Sequence, residues 1–517
     1  MLARRGRAGW VVAAASVFAA VIAGCGGSDE TTTEAGEEPI AKAAQWEPVA
    51  GLPFAEPDQI YGEDGVVTVD LKARREVIDV SDSPIEMQPF NSEIIGPTLH
   101  VNPGDKIEME LDNATDQPTN IHFHGMHVSP EGISDNVFRR MDPKTENPVL
   151  VDVPADHPAG SYWYHVHLHG STQEQVMGGM TGLIIVEGLK ERLGPEYEDV
   201  PERQLIFRDL QVDPNRKDTV AGADTIDPSK PTTRLVNGML QPKLELKPGQ
   251  TELWHMGNFS ADLFFPIDMP GVTFTIVAED GNPVWNVTER DDLLLPPGKR
   301  YDVLVTPEKG EYELETIPFD EGFQLLTKEK LADVSVSGDE GESLPVPTSL
   351  QDESEVSLAD EEIDKRRRFV FSFATEDGQF EAEINGETFD AKRINVAPVL
   401  GTTEEWTLVN HSNEDHPFHI HVNDFQVMSV NGKPYDANGL QDIVTIPKSG
   451  GEVVIRNQYL DFTGEYVFHC HILAHEDAGM MQTVDVVNPG EEPGFQGTTA
   501  AMDMDHGEHG SMEHASP

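Results

Sequence analysis

The sequence predicts an all-β protein with room for three domains. Short runs that alternate apolar and polar residues, such as 66–71, 301–305 and 452–456, recur between Gly, Pro and Asn turns. No long amphipathic helical pattern competes with them. The part with this pattern extends from about Trp46 to Val487 in a chain of 517 residues. At roughly 100 to 200 residues per domain, that length allows three domains.

The amino-terminal segment has the pattern of a signal peptide covering residues 1–24. Arg4, Arg5 and Arg7 precede an apolar stretch of mostly small residues from Trp10 to Ala23, which is too short to span a bilayer. The pattern predicts export to the cell envelope. It leaves two export routes open, the general secretory route and the twin-arginine route.

Cys25 ends a sequence, Ile22-Ala23-Gly24-Cys25, that resembles the cleavage box of bacterial lipoproteins, in which the cysteine is acylated. Residues 25–45 are polar and acidic and are predicted to form a tether. We therefore expect a lipid anchor at Cys25, on the outer side of the cytoplasmic membrane or in the periplasm. Ordinary secretion with a chance cysteine is the alternative. The protein has two cysteines, and because Cys470 belongs to a metal motif, no intramolecular disulfide is expected.

Two histidine pairs with i, i+2 spacing lie in the first third of the chain. They are His122-Phe-His124-Gly125 and His165-Val-His167. Because side chains alternate faces along a strand, each pair places two imidazoles on one face. One such pair is weak evidence for a metal, since structural histidines are commoner. The pattern gains weight because it recurs.

The carboxyl-terminal part holds two denser clusters of metal-binding side chains. Their members are His416, His419, His421, His469, Cys470, His471, His475 and Met480. If 469–471 is a strand, Cys470 points to one face and both flanking histidines point to the other, so one backbone step joins two metal sites. Thiolate and imidazole, with a thioether at long range, form the ligand set of a blue-copper centre. The segment therefore indicates a redox copper site.

The order of these motifs, HxHG, WYHxH, HPxHxH and HCHxxxHxxxGM from residue 122 to residue 480, resembles the multicopper oxidases, which include laccases, bilirubin oxidases and bacterial copper-efflux oxidases. The resemblance implies four copper ions. It implies type 1 copper ligands at His416, Cys470 and His475, with Met480 as the weak axial ligand. It implies type 2 copper ligands at His122 and His419. The remaining six would hold the type 3 pair: His124, His165, His167, His421, His469 and His471.

The resemblance also implies that the three domains are cupredoxin-like Greek-key β-sandwiches. We expect domain 1 at 46–188, domain 2 at 189–336 and domain 3 at 365–489, with the trinuclear cluster between domains 1 and 3. The acidic segment 337–364 is expected to link domains 2 and 3, either as a loop near the substrate entrance or as a plain solvated connection. Domain 2 contains His255 but no paired cluster, so we expect a spacer and scaffold.

Proton delivery needs its own groups, because reduction of O2 consumes protons at a buried cluster. Glu476 directly follows a ligand position and Asp135 lies eleven residues after His124, and at both places the resemblance implies an acidic residue. We predict that these two carboxyl groups carry protons, against the alternative of ordinary surface carboxylates. His127 and His169 fall outside the family pattern and are expected to be bystanders or supports of the ligands.

The tail, residues 490–517, is rich in soft and borderline copper ligands. It contains Met502, Met504, His506, His509, Met512 and His514. Thioether suits Cu(I) and imidazole suits Cu(II), so the tail is a candidate for copper capture. A plain polar terminus is an equal alternative.

The composition is strongly acidic, since 36 basic against 92 acidic residues give a formal net charge of −56. Such a surface repels nucleic acid and anionic lipid, so neither is expected as a partner apart from the anchor at Cys25. It attracts cations, which is compatible with a metal-ion substrate. Solubility in high salt, or a composition common to proteins of the source lineage, would explain the same excess of acidic residues.

Together these features predict a monomeric, copper-dependent oxidoreductase. It would couple one-electron oxidation of a reductant, Cu(I) or phenolic compounds, at type 1 copper to four-electron reduction of O2 to water at a trinuclear cluster, with a role in copper homeostasis. The alternative is an envelope protein that sequesters copper with little turnover. The joined pair of sites favours the oxidase, because a protein that only sequesters copper does not need two sites linked through Cys470. A copper nitrite reductase is disfavoured, because its type 2 site has three histidines and it lacks a type 3 pair.

Overall fold

A computed structural model of the chain describes residues 45–494, except for 228, 231 and 377. The predicted signal peptide, Cys25, nearly all of the predicted tether and most of the Met/His-rich tail lie outside the described residues. Within the described ranges, no helix is long and apolar enough to cross a membrane.

The first sandwich places the two amino-terminal histidine pairs on neighbouring strands. Its strands, within the described chain, are β1 (Gln59–Tyr61), β2 (Val66–Ala73), β3 (Glu76–Asp79), β4 (Pro84–Met87), β5 (Gly96–Val101), β6 (Lys106–Asn113), β7 (His122–His124), β8 (Thr145–Asp152), β9 (Gly160–His165) and β10 (Thr181–Val186). One sheet has the order β1-β5-β10-β9-β7 and the other the order β2-β6-β8, while β3 and β4 form a hairpin. Helix α1 (Thr172–Met177) connects β9 to β10. Strand β2 alternates buried and exposed residues, as its sequence predicts.

The second sandwich follows helix α2 (Leu189–Leu193) and a 3-10 turn at Pro195–Tyr197. Its strands in the described chain are β11 (Glu202–Leu210), β12 (Thr233–Val236), β13 (Lys243–Leu246), β14 (Glu252–Asn258), β15 (Phe265–Asp268), β16 (Phe274–Glu279), β17 (Asn282–Arg290), β18 (Asp292–Leu295), β19 (Arg300–Val305), β20 (Gly310–Thr316), β21 (Phe319–Asp320), β22 (Leu325–Leu326) and β23 (Glu329–Val336). The sheets have the orders β12-β11-β14-β19-β16-β17 and β13-β23-β20-β15-β18, with a small β21-β22 pair.

The third sandwich carries the other metal-binding motifs. It follows helix α3 (Glu353–Val356), and its strands in the described chain are β24 (Lys365–Glu376), β25 (Gln379–Ile384), β26 (Thr402–Asn410), β27 (His416–Ile420), β28 (Phe425–Val430), β29 (Lys433–Pro434), β30 (Ile443–Ile446), β31 (Glu452–Tyr459), β32 (Gly464–Cys470) and β33 (Met481–Val486). Helix α4 (Leu473–Asp477) joins β32 to β33. The sheets are β25-β24-β26-β31-β28-β29 and β30-β27-β32-β33.

The prediction of an all-β protein with three cupredoxin-like sandwiches is confirmed. Neighbouring strands in each sandwich are often distant in sequence, which is typical of Greek-key connections. Most strand pairs of the described chain are antiparallel, but each sandwich also contains at least one parallel pair, such as β5 with β10, β11 with β14 and β24 with β26. The helices of the described chain have at most six residues. The exact domain boundaries stay a prediction.

The segment 337–364 runs along the surface of the second and third sandwiches. The backbone N–H of Leu350 donates to Val284 O at 2.9 Å, in the second sandwich. The N–H of Leu358 donates to the side chain of Gln426, in the third. These hydrogen bonds hold parts of the acidic segment against both sandwiches that it connects.

Candidate metal centres

Eight histidines from the HxH motifs converge between the first and third sandwiches. Strands β7 and β9 are paired, with His122 opposite His165. Strands β27 and β32 are paired, with His419 opposite His469. The sandwiches then meet through stacked imidazoles, because the ring centroids of His122 and His421 lie 3.7 Å apart and the rings are nearly parallel.

None of these eight side chains is more than 2% exposed. Their ring nitrogens form three groups in which the possible ligand atoms lie within 4.8 Å of one another: His122, His124 and His165; His122, His419 and His421; His167, His421 and His469. His471 lies beside these groups, with its ring centroid 4.9 Å from that of His124. All eight predicted cluster histidines are therefore brought together.

In four of the histidines, one ring nitrogen is held by a hydrogen bond and the other has no partner. The Nδ1–H of His122 donates to Asp135 at 3.0 Å, that of His165 to Val166 O at 2.7 Å and that of His419 to Asp442 O at 2.9 Å. In His124 it is Nε2 that lies 3.2 Å from Asp442 Oδ1. The opposite nitrogens, and both nitrogens of His471, make no hydrogen bond within the described part of the chain.

The donor set fits copper. Leaving a buried polar atom unsatisfied costs about 1–3 kcal/mol, and several such nitrogens are gathered here. His167 Nε2 also lies 3.0 Å from His469 Nε2 and 3.2 Å from His421 Nε2, so three imidazole nitrogens face one another. A bound metal ion satisfies such nitrogens, and imidazole is a suitable ligand for copper.

Burial sets the protonation state of these rings. It lowers the pKa of all eight imidazoles, to about 3 for His165, and repulsion from neighbouring imidazoles lowers the pKa of most of the others further. The rings are therefore neutral at pH 7, which is the form that binds a metal.

A second group of possible metal ligands lies within the third sandwich, next to the eight-histidine group. Cys470 Sγ is 3.4 Å from His416 Nδ1 and 3.6 Å from His475 Nδ1, and all three side chains are buried. Met480 is fully buried and close by, since its carbonyl accepts from the N–H of Cys470 at 3.1 Å. Burial raises the pKa of the Cys470 thiol, so the positive charge of a metal is needed to hold the thiolate.

His475 reaches nearest to the surface in this group. Its Nε2 lies 3.4 Å from Glu414 Oε2, and the two side chains are 8% and 13% exposed. The other imidazole is covered, because Ser412 Oγ lies 2.8 Å from His416 Nε2. Of the two imidazoles in this group, that of His475 is therefore the nearer to the surface.

The two predicted proton carriers both touch the histidine cluster. The Glu476 carboxyl group lies 3.5 Å from His167 Nδ1 and 3.3 Å from His469 Nδ1, and accepts from Thr172 Oγ1 at 3.0 Å. Its pKa is raised, first by burial and then by Asp477. Asp135, on the other side, binds His122, and burial raises its pKa to about 7.

The remaining predicted histidines lie outside these groups. The Nδ1–H of His127 donates to Val422 O at 2.7 Å, and its Nε2 lies 2.9 Å from Asp461, both in the third sandwich. The ring of His169 packs on Phe389 at 4.8 Å. His255 is buried in the second sandwich between two carboxylates. Burial would lower its pKa, but bonds to Asp302 and Glu202 outweigh burial and raise the pKa to about 10.

Sequence reasoning missed several residues around the groups. Asp442, Gly298 and Glu414 lie against their imidazoles, while Arg300 contacts Asp442 and Thr172 contacts Glu476. Nothing in the local sequence distinguishes these residues. Asp442 and Glu414, for example, are two carboxylates among 92 acidic residues. Arg300 and Gly298 lie in the second sandwich, for which only a scaffold role was expected.

Comparison with known proteins agrees with this geometry. Three family models, each described as a multicopper oxidase, match residues 73–191, 208–322 and 362–490. The multicopper oxidase mco of Staphylococcus haemolyticus is 29% identical over 409 residues, which is 77% of this chain and 83% of that protein.

Solved structures give the same result. The multicopper oxidase of Campylobacter jejuni, described as a metallo-oxidase, has a TM-score of 0.72 and 26% identity, covering 86% of this chain and 96% of that one. The laccase-like oxidase CueO of Ochrobactrum sp. has a TM-score of 0.72 and 26% identity, covering 84% of this chain and all of that one. The chain belongs to the multicopper oxidase family and is a copper-dependent oxidoreductase, with copper cofactors that in this family typically number four ions.

Proposed function

We propose that the Cys470 group is a type 1 copper site and that the eight histidines form a trinuclear site. The ligands would be His416, Cys470, His475 and axial Met480 for type 1; His122 and His419 for type 2; and His124, His165, His167, His421, His469 and His471 for the type 3 pair. The observation that carries this proposal is the gathering of buried, unsatisfied imidazole nitrogens one residue away from a buried thiol with two imidazoles.

The protein would oxidise a reductant one electron at a time and reduce O2 to water. When bound, copper supplies the one-electron redox chemistry. The chain fixes the ligand type, and the backbone from Cys470 to His469 and His471 gives a covalent link between the sites. His475 offers the reductant the ligand edge that lies nearest to the surface, while the depth of the eight histidines keeps the reductant from the oxygen site.

Two reductant classes are supported. The C. jejuni relative is called a metallo-oxidase, and the Ochrobactrum relative is described with oxidase activity towards lignin model compounds. The acidic surface and Glu414 beside His475 suit a cation such as Cu(I). Phenolic compounds are the second class.

Glu476 and Asp135 are proposed to handle protons at the trinuclear site. The support is their position, since each is buried and contacts a proposed ligand. Glu476 also contacts Thr172 of α1, so it joins the first and third sandwiches at the cluster. Each would hold a proton within reach of the oxygen site.

The cellular setting is a separate proposal. The signal-like residues 1–24 and the lipobox at Cys25 support export with a lipid anchor in the cell envelope. We propose a monomer with O2 and a small reductant as its partners. Labelling of cells with a radioactive fatty acid tests the anchor, and a Cys25→Ser protein that still carries the label would contradict it.

The decisive experiment follows O2 consumption by the copper-loaded protein with Cu(I), Fe(II), Mn(II) and a set of phenols. We expect four electrons from the reductant per O2 and no release of hydrogen peroxide. Copper binding without turnover on any reductant would favour the sequestering protein instead.

A further inference from the structure

A buried ion pair links the second sandwich to the third beside the histidine cluster. Arg300, the first residue of β19, donates from Nη1 to Asp442 Oδ1 and from Nη2 to Asp442 Oδ2, both at 2.7 Å. Both side chains are fully buried. Such a two-pronged contact uses the planar fork of arginine and fixes the plane of the carboxylate.

Asp442 in turn contacts two of the proposed ligands. Its Oδ1 lies 3.2 Å from His124 Nε2, and its main-chain carbonyl accepts from the Nδ1–H of His419 at 2.9 Å. Asp442 directly precedes β30, which pairs with β27 and places Ile443 opposite His419. Because the outer nitrogen of each ring is held, His124 Nδ1 and His419 Nε2 are left as ligand atoms.

Arg300 also reaches the first sandwich. Its Nε–H donates to Ser161 O at 3.1 Å, on β9, the strand that ends at His165. Its own backbone N–H donates to Asp280 Oδ1 at 3.1 Å, and Asp280 Oδ2 accepts from the N–H of Ile443 at 3.1 Å. One guanidinium thus touches all three sandwiches at the point where the cluster is assembled.

The turn before β19 lies directly on the imidazoles. A Cβ added to Gly298 would lie 3.1 Å from His124 Cε1 and 3.1 Å from His471 Cδ2. The second sandwich therefore forms a wall of the cluster, although it provides none of the proposed ligands.

We propose that Arg300 and Asp442 are positioning residues of the trinuclear site, through which the second sandwich orients His124 and His419. This inference rests on the ligand roles proposed above. A purely structural ion pair would stabilise the fold without any selective effect on copper at the cluster, and this difference is what the experiment measures.

The test compares Asp442→Asn and Arg300→Lys with the wild-type enzyme, each loaded with copper. Asparagine keeps the size of the side chain but loses the charge, and lysine keeps the charge but loses the fork. We expect either the affinity of the cluster for copper or the rate at which O2 reoxidises the reduced cluster to fall roughly 10- to 100-fold. The electron paramagnetic resonance signal of type 2 copper should be altered. The blue type 1 absorption and its reduction should be unchanged.

Arg208→Lys is the matched control. Arg208 is also a buried arginine of the second sandwich, but its guanidinium donates to the carbonyls of Ile94, Val176 and Met177. Its replacement should lower the unfolding temperature and leave the type 2 signal as in the wild type. If Arg300→Lys and Asp442→Asn behave in the same way as this control, the inference is overturned.

Two further measurements keep the outcomes separate. Should Asp442→Asn fail to fold, Asp442→Glu decides, because it keeps the charge and moves the carboxylate by one methylene group. An altered type 2 signal in that variant supports the inference, and an unaltered one overturns it. A wild-type enzyme without any type 2 signal would instead refute the proposed ligand roles.

Discussion

Cys470 Sγ lies 3.4 Å from His416 Nδ1, although the two residues are 54 positions apart. The pairing of β27 with β32 accounts for this, because Cys470 is opposite Phe418, two residues after His416. The mononuclear group is therefore built within one sandwich, from two neighbouring strands and helix α4, which carries His475. The eight-histidine group is different, since it exists only where two sandwiches meet.

Replacement Cys470→Ser should abolish the blue absorption and the oxidase activity and leave a folded protein. Serine supplies no thiolate to bind type 1 copper, so no electron can enter the chain through a sulfur at this position. Visible absorption and copper analysis of the purified variant check this, with circular dichroism as the control for folding. Retention of the intense visible band would refute the assignment of Cys470.

Replacement His165→Ala or His421→Ala should leave the blue band but slow O2 consumption at least about tenfold, because each removes one imidazole from the trinuclear site alone. Both residues are buried at the junction of the sandwiches. Anaerobic reduction of type 1 copper should proceed as in the wild type. Loss of type 1 copper with normal O2 consumption would reverse the proposed roles of the two sites.

Replacement Glu476→Gln should leave copper loading and type 1 reduction normal and slow reoxidation by O2 by roughly 10²-fold, since glutamine keeps the size of the side chain but carries no exchangeable acid proton. The bond from Thr172 to the side-chain oxygen can persist in the variant. Stopped-flow reoxidation at several pH values checks this. Rates that equal the wild type at every pH would remove Glu476 from proton delivery.

Replacement Gly298→Ala should disturb the cluster from the second sandwich. The φ angle of Gly298 is +87°, which costs an alanine about 1–2 kcal/mol, and its Cβ would press on His124 and His471. Gly249→Ala is the control, because Gly249 has a φ of +65° and a Cβ there meets nothing within 4 Å. We expect the positive φ to lower stability in both variants, the added contacts to lower it further in Gly298→Ala, and O2 reduction to fall only in Gly298→Ala. Equal O2 reduction by the two variants would contradict the close approach of Gly298 to the imidazoles.

Deletion of residues 491–517 should lower oxidation of Cu(I) more than oxidation of phenols, and mainly when copper is scarce. Met and His ligands on the tail would raise the local copper concentration, an advantage that saturating substrate removes. Steady-state rates over a range of Cu(I) concentrations check this. Equal losses for both substrates would mean that the deletion harms folding, and no loss would leave the tail without a role in copper supply.

The sequence by itself determined the fold class and the inventory of candidate ligands. Strand periodicity and turn residues are local, so runs such as 66–71 predicted β2, and the i, i+2 spacing of His122 and His124 already places both imidazoles on one face. Thiolate, imidazole and thioether are recognisable from residue type alone, which is why Cys470 pointed to copper.

Only the tertiary structure decided which groups surround those ligands. Asp442 and Arg300 are ordinary charged residues in sequence, and they meet because β30 pairs with β27 and because β19 of another sandwich packs against them. The distance from Glu476 to His167 likewise depends on α4 of the third sandwich lying beside the first. Contacts between distant segments arise from packing, which leaves no local pattern, so the sequence could propose ligands but could not reveal the residues that support them.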